Sequence, residues 1–294
     1  MKKTISILLL VFSAFYAYPQ SPSWRITASV AHFEHDYNWS IAGNADGGPP
    51  NILSELVWTK MRGPKFNIGI SRRLFGRLEL GANFSLHHIK KGSVTDTDYL
   101  QNNRQDPFFN LEGMANKGSL YDYSLQLKYG FPIGSSLNLK PYLGIAYSDR
   151  KLYILDLPDH ESDPPLNSSY KNTWKGGIAG AEINCQLKRF LFGLNIEAGY
   201  YRYLAKAQWN LNEMFRQPLS FKQTANGYSL SAGLSTSYKL SKSISISIGL
   251  EKKYGATWKG IDEAYLNQGG SLKTRFNGAE FNALAAKTGI ELTF

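Results

Sequence analysis

Apolar and polar residues alternate with a period of two through run after run of this chain. Leu78, Leu80, Ala82, Phe84 and Leu86 fall on one side of an extended strand, while Glu79, Gly81, Asn83, Ser85 and His87 fall on the other. The same pattern recurs over 123–129, 139–147, 177–187, 192–200, 229–238 and 243–250, and the chain closes on the alternating stretch 287–294. Each run reads as a strand with an apolar face and a polar face. No stretch after residue 20 approaches the roughly 20 consecutive apolar residues that a spanning helix needs. A membrane protein built from such runs must close into a barrel, because unpaired backbone groups cannot face hydrocarbon.

Connections alternate in length. Short turns fall near Phe75-Gly76-Arg77, Pro132-Ile133-Gly134-Ser135, Lys188-Arg189 and Leu240-Ser241-Lys242. Long polar segments fall near 43–51, 91–117, 158–169, 209–226 and 259–275 and read as loops. This rhythm predicts an all-β, transmembrane antiparallel β-barrel of ten strands with long extracellular loops and both termini in the periplasm. Pro64 weakens the second strand at that point, since proline removes a ladder donor. Gly92 marks a candidate bulge, which would exchange the two faces of its strand.

The two chain ends carry address information. Lys2-Lys3, the apolar run 5–12 and the small and polar exit 14–20 form a signal peptide, with cleavage expected between Ala17 and Gln20. The expected division is therefore a signal peptide at 1–19 and an outer-membrane barrel at 20–294. Phe294, with Leu292 and Gly289 before it, resembles the terminal signal of bacterial outer-membrane barrels. With 27 Gly, 18 Tyr and 16 Phe, the composition suits a tightly packed wall with aromatic girdles at the interfaces. Lysine and arginine exceed aspartate and glutamate by 33 to 23. They are scattered instead of clustered, which argues against nucleic acid and favours anionic lipopolysaccharide as partner. Cys185 has no second cysteine to pair with and alternates with Ile183 and Leu187, as a lipid-facing residue would.

Several segments, in order, resemble the omptins, a family of ten-stranded outer-membrane endopeptidases. Ser54-x-Leu56-x-Trp58 is similar to the family's second-strand core, and Gly92 through Tyr99 is similar to its Gly-Asn-Met-x-Asp-x-Asp-Trp motif. Weaker matches run through 115–127, 144–147, Tyr170-Lys171 and the final strand. The resemblance implies a groove in which an Asp pair faces an Asp-His pair and the two activate water. Asp96 and Asp98 match the first pair. The second falls on Asn210 and Asn212, whose amides do not titrate, or with a one-residue shift brings Glu213 to the histidine position. Gln208 stands where the family has an acid in its basic-residue pocket. A replacement imidazole would have to come from His32, His35, His87, His88 or His160; His87 has lumen parity, and His160 sits in an acidic loop.

The resemblance also implies lipopolysaccharide binding at Tyr147, Asp149 and Lys151, with Thr173 replacing a further arginine. Lysine in place of arginine keeps the charge but loses bidentate phosphate recognition. No metal or cofactor is expected beyond lipopolysaccharide as an accessory molecule. Three functions compete: a degenerate omptin-like barrel that binds extracellular peptide or protein at the surface, an active endopeptidase with a rearranged base at His87 or Glu213, and a passive pore. The pore ranks last, because inward Lys, Arg, Glu and Tyr fill a narrow lumen.

Overall fold

In the computed structural model, residues 23–294 are described; the signal peptide expected at 1–19 lies outside them. In chain order the strands are β1 (Trp24–Ile41), β2 (Ser54–Phe75), β3 (Leu78–His88), β4 (Lys91–Gln101), β5 (Gln105–Met114), β6 (Gly118–Tyr129) and β7 (Phe131–Ile133). They continue as β8 (Leu137–Leu155), β9 (Asn167–Leu187), β10 (Phe190–Gln208), β11 (Phe221–Lys239), β12 (Ile244–Thr257), β13 (Gly260–Tyr265) and β14 (Ser271–Thr293). The pairs β4/β3, β5/β6 and β12/β13 are each one long strand briefly interrupted, and β7 is a short hairpin on β8. The result is a ten-strand ring of antiparallel neighbours. β1 closes it by pairing with both β2 and β14. At the seam, Phe294 and Trp24 exchange backbone hydrogen bonds at 2.9 and 3.1 Å, so the terminal aromatic residue completes the ladder.

Alternation has its expected cause. On β2, Phe66, Ile68 and Ile70 are exposed on the outer wall, and Leu143, Ile145, Leu234, Ile248 and Leu250 extend the same apolar belt around the ring. Behind that belt the lumen is filled by ion pairs. Glu79 reaches Lys140 at 2.9 Å, Lys287 reaches Glu251 at 3.4 Å, and Lys128 pairs with Glu182. Away from the short-turn end, the outward positions become polar: Val30 is followed by His32, Glu34 and Asp36. Strands of 18 to 23 residues, such as β1 and β14, far exceed the roughly 9–11 needed to cross hydrocarbon, so the barrel projects well beyond the apolar belt at its long-loop end.

Two of the five segments expected as loops are therefore mostly strand, and a third is strand at its end. Residues 91–117 form the β4–β5 hairpin with its tip at Asn102–Arg104, and 259–275 form the β13–β14 hairpin. Likewise β11 begins at Phe221, well inside the segment expected as a loop up to Asn226. Once a strand leaves the apolar belt its outer face turns polar, and where the inner face carries polar residues as well, as in β4, the period-two signal vanishes although the ladder continues.

A belt of irregularity sits just above the apolar wall. On β3 the lumen-facing positions are odd (Ser85, His87, then Ile89), whereas on β4 they are even (Val94, Asp96). β2 switches between Met61 and Trp58 at Lys60, whose φ is 51°. β14 switches between Ala279 and Phe276 at Gly278, whose φ is 131°. Gly92 lies in the β3–β4 switch with φ of 156°, and a side chain there would meet Ala115 O at 2.8 Å. These extra residues exchange inner and outer faces. Pro64 is accommodated just below the β2 switch, where the β2–β3 ladder has already ended at Lys65.

Above this belt a layer of rings spans the lumen. Trp39 and Tyr37 from β1, Trp58 from β2, Tyr170 from β9, Tyr203 from β10, Phe221 from β11 and Phe276 from β14 are all buried. Tyr170 contacts Trp39, Trp58 and Phe221 with centroids 5.7, 5.5 and 6.4 Å away. Hydroxyls stitch opposite walls together: Tyr37 to Tyr203 at 2.7 Å, Tyr203 to Tyr170, and Tyr170 Oη donating to Gln223 Oε1 at 2.6 Å. Trp58 Nε1 donates to Tyr153 O at 3.0 Å across the bore. Buried rings tied by these hydroxyl and indole hydrogen bonds form a rigid plug, in which Trp39 Nε1 alone of the named ring groups is left unpaired. Reconstituted in planar bilayers, the protein is expected to give a flat current trace, and the Trp58→Gly, Tyr170→Gly double variant discrete conductance steps. Steady channels from the unaltered chain would contradict the plug.

Candidate functional site

Two sequence motifs turn out to be one structural unit. β2 and β4 pair in the register Ser54↔Asp98, Leu56↔Asp96 and Trp58↔Val94, so the Ser-x-Leu-x-Trp core lies directly beside the Asp-x-Asp motif. The bulges at Lys60 and near Gly92 turn both motifs inward together. Asp96 and Asp98, two residues apart, thus share the lumen face of β4, above the aromatic layer.

Asp96 is 7% exposed and its neighbours Leu56, Trp58 and Val94 are buried apolar side chains. Its Oδ1 has no hydrogen-bond partner. Burial, reinforced by the like charge of Asp98, pushes its pKa up to about 8, a rise opposed by the Trp209 indole. Asp98 is also raised by burial, with the Ser54 hydroxyl opposing the shift. At neutral pH the pair therefore favours a single negative charge, with Asp96 protonated. Such a pair can hold one proton and orient a polar group at the mouth. By itself it supplies no imidazole base.

Trp209 stands where a second catalytic pair would be sought. It continues the inward series Tyr201, Tyr203, Ala205 and Ala207 of β10, on the wall opposite β4, and packs edge-on against Phe221 at 4.8 Å. Asn210 is turned away. Its Oδ1 accepts from Asn167 N at 2.9 Å and Ser168 Oγ at 3.0 Å, while its Nδ2 donates to Pro165 O at 2.9 Å. These contacts fasten the 209–220 loop to Pro165 and to the start of β9. Asn212 Oδ1 accepts from Met214 N at 3.0 Å, a local turn. Glu213 is exposed on the same loop. The parity of β10 carried the signal for Trp209, which a gap-free match to Asn210 and Asn212 overrode.

The histidines are equally remote. His87 faces the lumen but lies nine residues before Asp96, roughly 30 Å of extended strand, and packs against Phe33 at 4.4 Å. The whole aromatic layer separates them. His35 lies on the other side of Phe33 at 6.1 Å, and His160 is exposed with Nδ1 against Asp159 O at 2.5 Å. One buried carboxylate went unread in the sequence. Asp262 on β13 accepts from Gln223 at 3.0 Å and Thr274 at 3.4 Å, and burial pushes its pKa up to about 6.

On the outer wall, Tyr147 Oη donates to Asp149 Oδ2 at 3.3 Å, and Lys171 Nζ pairs with the same oxygen at 2.9 Å. Lys151 and Lys117 lie over the Tyr153 ring at 5.1 and 4.4 Å. Thr173 only donates to Leu204 O at 3.3 Å. The cluster is therefore built on lysines and tyrosines.

The Asp96 carboxyl is expected to titrate near pH 8 when followed by carboxyl carbon NMR. Asp98→Asn should lower that midpoint by removing the like charge, and Trp209→Phe should raise it further by removing a donor to the carboxylate. A raised acid favours the fold while it is protonated, and that advantage is lost as pH climbs through its folded pKa. Asp96→Asn should accordingly slow amide exchange in β4 more at pH 9 than at pH 5.

Comparison with known proteins places this geometry. A family model described as Protochlamydia outer membrane protein (Pom) matches residues 29–294. No curated protein matches the chain. Among solved structures, outer membrane protease OmpT from Escherichia coli superposes with a TM-score of 0.74 at 14% identity, covering 95% of this chain and 100% of that one. The translocator domain of the autotransporter NalP from Neisseria meningitidis gives 0.38 at 14% identity, covering 100% and 95%. Neisserial surface protein A gives 0.32 at 13%, covering 94% and 100%. The chain belongs to the Protochlamydia outer membrane protein family and is an outer-membrane β-barrel with an OmpT-like fold.

Proposed function

We propose that this barrel is a closed, non-hydrolytic binding protein of the outer membrane, with its long-loop end facing the cell exterior. One observation carries the reading: across the mouth from Asp96 stands the indole of Trp209, while Asn210 and Asn212 are consumed by loop hydrogen bonds. Water activation of the omptin kind needs a neutral imidazole held against a carboxylate near neutral pH. Here the buried lumen imidazoles, His35 and His87, pair with β2 at the levels of Met61 and Lys65, below the plug. A protonated Asp96 and an indole instead offer a donor, an acceptor and an apolar face at an exposed mouth, which suits holding a polypeptide more than cutting it. Lipopolysaccharide binds, in this reading, on the outer wall at Tyr147, Asp149, Lys151 and Lys171, where cations flank an aromatic girdle.

Refolded protein, with and without lipopolysaccharide, is expected to leave a library of quenched peptides intact. Cleavage that disappears in Asp96→Ala would overturn the proposal and establish a peptidase with a rearranged base. For the outer wall, the Lys151→Glu, Lys171→Glu double variant is expected to retain at least several-fold less lipopolysaccharide through detergent washes. Equal retention would remove that site.

A further inference from the structure

We propose that the free edge of β5 captures an extended, basic segment of a partner polypeptide by adding it as a further strand. β5 is paired with β4 along nearly its whole length. On its other side it meets β8 only at Met114↔Leu155. There β8 ends, and the chain turns away into 156–166, which is tied back by Pro165 O to Asn210 and by Leu166 N to Asp156. Among the described residues, no backbone hydrogen bond reaches the second edge of 105–112. Above the level of Met114 the ring is therefore open between β5 and the top of β8.

A bare strand edge is a template for another strand. Folded proteins commonly blunt such an edge with lysine or proline. β5 has Pro107 near its tip, but the run Phe108–Gly113 contains neither residue. Phe108 and Phe109 are 56% and 41% exposed beside it, so an added strand would also cover apolar surface.

Charge decides the partner. Asp106 and Glu112 lie on β5, and Asp156, Asp159, Glu161 and Asp163 lie on the facing bank. No lysine or arginine occurs in 105–116 or 156–170. Arg104 at the hairpin tip is held by Glu55 at 2.6 and 2.7 Å, and Lys117 at the base of the gap donates to Asn167 Oδ1 at 3.2 Å. A segment with lysines or arginines on alternate positions meets carboxylates on both sides, and an acidic one is repelled. A second copy of β5 would oppose its own Asp106 and Glu112, which disfavours self-pairing. This inference deepens the binding reading, since it names the partner chemistry and the backbone that holds it.

The test uses the full chain in lipid nanodiscs and a labelled peptide of alternating lysine and valine. Controls are the glutamate–valine analogue and a lysine–valine peptide methylated on alternate backbone nitrogens. Anisotropy should show saturable binding of the first and at least tenfold weaker binding of both controls. Amide exchange should slow in 108–113. Glu161→Lys with Asp163→Lys should weaken binding about tenfold while the melting transition stays put, and Asn110→Pro should abolish it. Equal binding of the methylated peptide, protection elsewhere on the barrel, or cross-linking of Asn110→Cys to a second copy would each overturn the proposal. Absence of both binding and cleavage overturns strand addition alone. Cleavage of a peptide that still protects 108–113 overturns the non-hydrolytic reading and upholds the docking edge.

Discussion

The satisfaction of backbone hydrogen bonds where water is absent governs this molecule. Within the apolar belt every strand must be paired on both sides, and β1 meets that demand by closing onto β14 through the terminal Phe294. Closure then dictates what the lumen can be. A ring of ten strands leaves a bore narrow enough for side chains to fill, and lumen positions become a core, with ion pairs at the level of the belt and rings above it. The plug and the charge-filled lower lumen are thus two solutions to one packing problem, set by how far water penetrates.

Above the belt the demand relaxes. Strands may carry bulges, change faces and lose a partner, because water can satisfy what the ladder does not. The switches at Lys60, Gly92 and Gly278 all lie at this transition. Their consequence is chemical: without them Asp96 and Asp98 would point outward, and the apolar side chains of Leu56 and Trp58 would not raise the Asp96 carboxyl toward neutrality. The free edge of β5 belongs to the same relaxed zone. Site and edge exist because they stand outside the bilayer on a scaffold the bilayer holds rigid.

Much of the scaffold was legible from residues alone. The faces of β3, the short turns and the ten-strand count follow from alternation that the bilayer enforces. What lay outside the bilayer was harder to read, for a physical cause. In β4, Ser93, Thr95 and Thr97 alternate with Asp96 and Asp98, so both faces are polar in sequence, the strand carries no hydrophobic period and it passes for a loop. The register joining Ser54 to Asp98 was likewise hidden, although both motifs were recognisable separately. At the end of β10 the similarity pointed to Asn210 and Asn212, whereas the parity of Tyr201, Tyr203, Ala205 and Ala207 assigns the inward position to Trp209.

An acidic pair buried in a barrel mouth persists only in a state that the fold tolerates. Burying Asp96 against apolar neighbours is unfavourable as a carboxylate, and the like charge of Asp98 makes it worse. Protonation of Asp96 relieves both costs, the Ser54 hydroxyl favours the charge left on Asp98, and the Trp209 indole is a donor to Asp96 when it ionises. That arrangement needs an aromatic residue at the end of β10, with the rest of its loop pinned elsewhere, which is what the Asn210 amide accomplishes by binding Asn167, Ser168 and Pro165. In this structure the two asparagines act as anchors of the loop bearing the indole. Asn212 closes a local turn on Met214 N in that same loop, so the indole at the end of β10 and the two amides behind it form one positioned unit.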